Sequence, residues 1–196
     1  MKDKTTSVDQ EDLNAIAMTR AKKLFSTDPE LKALVIDKEL SAAANAEGLP
    51  VEHCIDMILE GYSERAALGM RDYCIASDES GRSKKQYLPA YKMTTFGELR
   101  QQIHAIASAW QNEADIAVKR DEFILYIGFA SAQQAALDYA SAYCQAVSVP
   151  LQSAAGTGEL EAIVNNTEPV AIAATLADLV VAAKLAAGYK GVRSVI

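Results

Sequence analysis

From Phe123 onward, short near-continuous apolar runs alternate with stretches of helical periodicity, and this order constrains the fold more than any other feature. Phe123-Ile124-Leu125-Tyr126-Ile127, Ala146-Val147-Ser148-Val149, Val170-Ala171-Ile172-Ala173 and residues 192–196 lack the polar alternation of a half-solvated strand. Strands that are apolar on both sides belong in a parallel sheet covered by helices on both faces. Helix starts stand between them in the right places. Ser131 is followed at the third position by Gln134, Thr157 by the acidic Glu159 and Glu161, and Thr175 by Asp178. The expected region is βαβαβαβ and doubly wound, with right-handed crossovers.

The chain upstream reads differently. Ser7-Val8-Asp9-Gln10 has capping-box spacing ahead of Leu13, Ile16, Ala17 and Leu24 on one helix face. Asp28-Pro29 opens a short second helix, and Gly48 stops the alanine-rich helix containing Ala42-Ala43-Ala44. Pro50 opens an amphipathic helix with Val51, Cys54, Ile55, Ile58, Leu59 and Tyr62 on one stripe. Residues 66–93 predict a small antiparallel hairpin turning at Ser77-Asp78-Glu79-Ser80-Gly81, with Pro89 marking an edge or a bulge. Thr95-Phe96-Gly97-Glu98 is a capping box that starts a helix with Phe96, Leu99, Ile103, Ile106, Ala107 and Trp110 inward. The fold class is therefore α/β, with a helical prelude over residues 1–65 and the hairpin and parallel region over residues 66–196.

A length of 196 residues suffices for one domain that buries roughly 70% of its unfolded surface. The formal charge of −7 argues against a nucleic-acid partner, since Lys22-Lys23 and Arg82 with Lys84-Lys85 are too short to make a basic stripe. No apolar run approaches the ~20 residues of a membrane span, and the polar first residues lack a secretory core. Cys54, Cys74 and Cys144 are scattered without metal-ligand spacing and read as free thiols in the cytoplasm.

Three strand-to-helix or helix-to-strand turns are candidate ligand sites. Gly128-Phe129-Ala130-Ser131 lacks the second glycine of a dinucleotide fingerprint. Ser153-Ala154-Ala155-Gly156-Thr157-Gly158-Glu159 could turn N–H groups to an anion, but no lysine follows and Glu159 stands where phosphate charge would lie. Asn165-Asn166-Thr167-Glu168-Pro169 reads as a loop, with Asn165 as the helix stop. Neither His53 nor His104 has a carboxylate or serine at a helical spacing that suggests a nucleophile–base pair, so both read as surface or half-buried residues. Cys144, Trp110 and Tyr126 read as core residues.

Met93-Thr94-Thr95-Phe96-Gly97-Glu98-Leu99 resembles the opening motif of acyl-adenylate-forming enzymes, hydrophobic-Thr-Tyr-Xaa-Glu-Leu. Ala146-Val147-Ser148-Val149-Pro150-Leu151 resembles their Gly-Ala-Val-Xaa-Val-Pro-Leu strand, and Thr167-Glu168-Pro169 before an apolar strand also fits. Within that superfamily the chain is similar to bacterial carboxylic acid reductases. The similarity rests on Thr27-Asp28-Pro29, on Gly61-Tyr62-Ser63-Glu64-Arg65-Ala66-Ala67-Leu68-Gly69, on Leu88-Pro89, on Gly128-Phe129 and on Val147-Ser148-Val149-Pro150-Leu151-Gln152. It runs from about Ser26 to Ile196 but spans only the leading fraction of a family member. Ala66 replaces a common proline, Lys119-Arg120 a Pro-Gly, Ala130 an asparagine and Gln145 a glycine.

The resemblance implies an enzyme that activates a carboxylic acid with ATP and Mg²⁺, captures the acyl group on a phosphopantetheine carrier and reduces it with NADPH to an aldehyde. It places the phosphate loop, the ribose-binding acid and the catalytic lysine beyond the position matching Ile196. No catalytic, cofactor-binding or metal-binding residue is therefore assigned to this chain, which reads as an inactive N-terminal fragment. Its implied partners are the remainder of the adenylation domain and the carrier and reductase domains. The alternatives are a fragment of a long-chain fatty acid or acyl-CoA ligase and, from another class, a non-catalytic α/β binding module.

Overall fold

The computed structural model describes residues 10–77, 80–152 and 154–196. The cap expected at Ser7-Val8-Asp9 lies outside these, as does part of the hairpin turn at Asp78 and Glu79. The chain forms two compact units, one ending at Ala43 and the other running from Ala44.

The first unit holds helices α1 (Gln10–Thr27) and α2 (Pro29–Ala33) and most of α3 (Lys38–Ala44). Asp28 and Asp37 cap the two short helices: Asp28 Oδ1 accepts from the Glu30 N–H, and Asp37 Oδ1 from Glu39 and Leu40, each at 2.9 Å. Leu13, Ile16 and Leu24 on α1 are exposed.

The second unit begins with α4 (Val51–Gly61), whose N-cap Pro50 is in extended conformation. Strands β1 (Ala66–Ser77) and β2 (Ser83–Thr95) form a two-stranded antiparallel hairpin. Pro89 sits where the register shifts: Arg71 pairs with Tyr91 and Tyr73 with Tyr87, so Leu88, Pro89 and Ala90 bulge opposite one residue of β1. A residue without an N–H costs least there.

Helix α5 (Phe96–Asn112) starts with the expected capping box. Thr95 Oγ1 accepts from the Glu98 N–H at 3.1 Å, and the Glu98 carboxylate accepts from the Thr95 N–H at 2.9 Å. There follow β3 (Phe123–Ile127), α6 (Ala132–Tyr143), β4 (Val147–Leu151), α7 (Thr157–Thr167), β5 (Ala171–Ala174), α8 (Leu179–Gly188) and β6 (Ser194–Val195). The four strands are parallel in the order β4-β3-β5-β6. Ladder bonds reach past β6: Arg193 N–H donates to Val170 O at 2.7 Å and Ile196 N–H to Ile172 O at 3.0 Å.

Alternation along β3 and β5 feeds two cores. Ile124 and Ala171 pack with Leu59 of α4, Leu99, Ile103 and Trp110 of α5 and Ala140 of α6. Leu125, Ile127 and Ile172 face the other way, against Leu160 and Val164 of α7 and Ala182 and Leu185 of α8. Each fully buried aliphatic side chain contributes about 1.5–3 kcal/mol relative to exposure. Burial on both faces is why these strands carry no polar alternation.

Two expected helix limits are corrected. The start expected at Thr175 falls later: α8 begins at Leu179 with Asp178 as its N-cap, and neither side chain caps it, because Thr175 Oγ1 donates to the Asp178 carboxylate instead. Asn165 does not stop α7, which continues through Thr167; the cap is Glu168, with φ 49° and ψ 55°. The Glu168 N–H bonds Val164 O at 2.9 Å, so the left-handed residue closes the last turn. Pro169 behind it is fully buried.

Candidate functional site

The connection β3-α6-β4 leaves β3 on one side, while β5-α8-β6 continues on the other, so β3 and β5 are neighbours whose chains diverge. The carboxyl ends of such a strand pair frame the ligand crevice of open α/β sheets. A cavity of about 400 Å³ lies there, lined by Tyr126, Ser131, Leu137, Thr175, Leu176 and Ile196 among others.

The rim is built by strand ends. Gly128 N–H donates to Leu151 O and Thr175 N–H to Ile127 O, both at 3.1 Å, which ties the β3 turn to β4 and β5. A methyl group on Gly128 would stand 2.6 Å from Thr175 Cγ2 and 2.8 Å from the Tyr126 hydroxyl, so only glycine fits this approach. Tyr126 Oη lies 3.4 Å from both Phe129 O and Ser131 Oγ, and Ser131 Oγ accepts from the Gln134 N–H at 3.1 Å. Thr175 Oγ1 donates to Asp178 Oδ2 at 2.5 Å. Phe129 and Leu176 stand out from the rim, 69% and 89% exposed.

The crevice thus offers hydroxyls and aliphatic walls. Among its lining residues there is no lysine, arginine or carboxylate to hold a phosphate or a cation. Among the described residues no cluster of three or more histidine, cysteine or carboxylate side chains could hold a metal ion. The donor set present therefore does not by itself fit ATP with Mg²⁺, and it contains no nucleophile–base pair.

The other turns lie as follows. Gly156 is the N-cap of α7 and Glu159 sits in its first turn, beneath the carboxyl end of β4; Ser153 is outside the described residues. Residues 165–169 lie at the opposite, amino-terminal end of the strands, because α7 runs back toward the start of β5. Trp110, Tyr126 and Cys144 are buried as read from sequence, and burial pushes the Cys144 thiol pKa up. His53 is exposed.

His104 has a partner that helical spacing could not show. Asp56 of α4 accepts three hydrogen bonds on Oδ1: from Arg100 Nε at 2.7 Å, from His104 Nε2 at 2.8 Å and from the Tyr143 hydroxyl at 2.8 Å. Arg100 Nη2 donates to Asp56 Oδ2 at 2.8 Å and to Glu60 at 3.4 Å. The Arg100 hydrogen bond holds Asp56 far below the usual carboxylate range; burial opposes this, and Tyr143 and His104 reinforce it. Burial and then the Asp56 bond push the Tyr143 pKa up. Tyr143 ends α6, which runs from the crevice to the amino ends of the strands, so this cluster lies remote from the crevice. It clamps α4, α5 and α6 together.

An open parallel sheet with helices on both faces and a crevice where connections diverge defines a doubly wound ligand-binding α/β domain. No family model matches the chain. A carboxylic acid reductase from Segniliparus rugosus is 37% identical over 161 residues, covering 82% of this chain and 14% of the relative. The solved adenylation domain of the Segniliparus rugosus reductase, in complex with AMP and a co-purified carboxylic acid, superposes with a TM-score of 0.83 at 36% identity, over 91% of this chain and 28% of that one. The adenylation domain of a Mycobacterium chelonae carboxylate reductase gives 0.80 at 33% identity, over 96% of this chain and 29% of that one. The chain belongs to the adenylation-domain family of carboxylic acid reductases. It spans about a seventh of the length of the curated relatives it matches.

Proposed function

We propose that this chain is the leading, scaffold part of a carboxylic acid reductase adenylation domain, serving an enzyme that converts a carboxylic acid through an acyl-adenylate and a carrier thioester to an aldehyde. Residues 1–65 form its helical prelude and residues 66–196 the first part of the adenylation fold. The observation that carries this is agreement of sequence and fold together, 36% identity at a TM-score of 0.83 with a domain solved in complex with AMP and a carboxylic acid.

In this reading the chain supplies one wall of a nucleotide site. ATP and Mg²⁺ supply the activating chemistry in the complete domain, while phosphopantetheine and NADPH belong to the carrier and reductase domains. The chain's own residues do three things: Gly128 lets the β3 turn approach β5 closely, Tyr126 and Ser131 hold that turn, and the Asp56 cluster keeps the helical layer in place. None is assigned a catalytic role. The protein works in the cytoplasm, in keeping with three unpaired thiols.

The test is replacement. When this chain substitutes for the matching part of the Segniliparus rugosus adenylation domain, the chimera is expected to catalyse carboxylate-dependent ATP–pyrophosphate exchange. A folded chimera without exchange refutes the assignment.

A further inference from the structure

The β1–β2 hairpin reaches far beyond the body that anchors it. Its base is covered, with Ala67 and Leu68 packed on the core formed by α4, α5 and α6. Beyond Leu68 every residue of β1 except Ala76 is exposed, and on β2 from Ser83 to Met93 only Leu88 is even partly covered. Two strands without a third strand or a covering helix are marginal in water. This hairpin has arms of 12 and 13 residues.

One of its faces is not an ordinary solvated surface. Paired residues share a face, and Gly69–Met93, Arg71–Tyr91, Tyr73–Tyr87 and Ile75–Lys85 are opposite one another. The rings of Tyr73 and Tyr87 meet edge-on at 6.3 Å. Lys85 Nζ lies 4.3 Å over Tyr73 and the Arg71 guanidinium 5.6 Å from Tyr87. Tyr73, Ile75, Tyr87, Tyr91 and Met93 remain 44–66% exposed. Tyrosine, methionine and arginine are enriched where proteins meet, and tyrosine's rigid ring buries a large area at low entropy cost.

Resting on the reading above, we infer that this face is the seat of the portion of the adenylation domain that lies outside the chain. The match to the Mycobacterium chelonae domain takes in 96% of this chain, so at least most of the hairpin is shared with a domain more than three times as long. That additional polypeptide is the occupant. It would press aliphatic side chains onto the tyrosine ladder and bring carboxylates opposite Arg71 and Lys85.

Amide hydrogen exchange tests this on the full chain and on the chimera described above. In the chain alone, amides of residues 69–76 and 83–93 are expected to exchange at least 100-fold faster than those of β3. In the chimera they should slow at least 100-fold, and combined Tyr73→Ser, Tyr87→Ser and Tyr91→Ser should abolish that slowing while leaving the melting temperature of the chain alone within 2 °C or so. A chimera active in pyrophosphate exchange whose hairpin stays unprotected overturns the inference and leaves the functional reading standing. Concentration-dependent protection in the chain alone would give the face to a second copy and also overturn it. A chimera that folds but does not exchange pyrophosphate refutes the functional reading and this inference with it.

Discussion

Replacing Asp56 by Asn removes the charge on which Arg100, His104 and Tyr143 converge. Hydrogen bonds to a charged group contribute about 1.5–3 kcal/mol each when buried. The Asp56 side chain is 27% exposed, so water replaces part of that, and asparagine keeps one acceptor. The expected net loss is about 2 kcal/mol at pH 7. With a urea slope near ~2 kcal/mol/M, the midpoint should fall by about 1 M. The pH dependence sharpens the test. A carboxylate with a depressed folded pKa contributes stability above its unfolded value near ~3.9, and that stability is lost as pH falls toward the folded value. The difference between the native chain and Asp56→Asn should stay constant from pH 7 to 5 and shrink below pH 4. A midpoint unchanged at pH 7, or a difference that persists undiminished to pH 3, refutes the clamp.

Gly128→Ala should cost about 1–3 kcal/mol in urea unfolding, because the added methyl meets Thr175 and Tyr126 below contact distance. Thr95→Ala should cost about 1 kcal/mol by loss of the capping box, whereas Thr94→Ala should change little. Gln145 holds φ 54°, so Gln145→Gly should stabilise by about 0.5–1 kcal/mol despite losing the exposed hydrogen bonds to Arg120 and Glu52; destabilisation would show that the side chain matters more than the strain. In thiol titration with a disulfide reagent at pH 8, Cys74 should react fastest and Cys144 only on unfolding, since Cys74 is exposed and Cys144 is buried with a raised pKa.

Much of the parallel region is legible from sequence because its signals are local. β3 occupies the predicted Phe123–Ile127, and the caps at Thr95 and Ser131 form with the predicted partners. A cap is a contact between residues three apart, so spacing reveals it. The Asp56 cluster is invisible for the opposite reason. Its members are separated by 44, 48 and 87 positions, and no periodicity on one helix reports a partner on another. The end of α7 was misplaced because Asn165 is a favoured stop, yet the turn carrying Val164 continues and closes at Glu168, a residue that seldom adopts a left-handed conformation. Gln145 is instructive: the resemblance expects glycine, and the backbone keeps a glycine-like φ with a side chain attached. The hairpin expected over residues 66–93 runs two residues further, to Thr95, because the strand continues up to the residue that caps the next helix.

Under the proposed function these residues frame an acid-activating site without supplying its chemistry. AMP release from ATP, measured on the purified chain with a panel of fatty and aromatic acids, tests it most directly. No acid-dependent AMP above the protein-free rate is expected, and one AMP per chain formed in an acid-dependent manner would overturn the scaffold role.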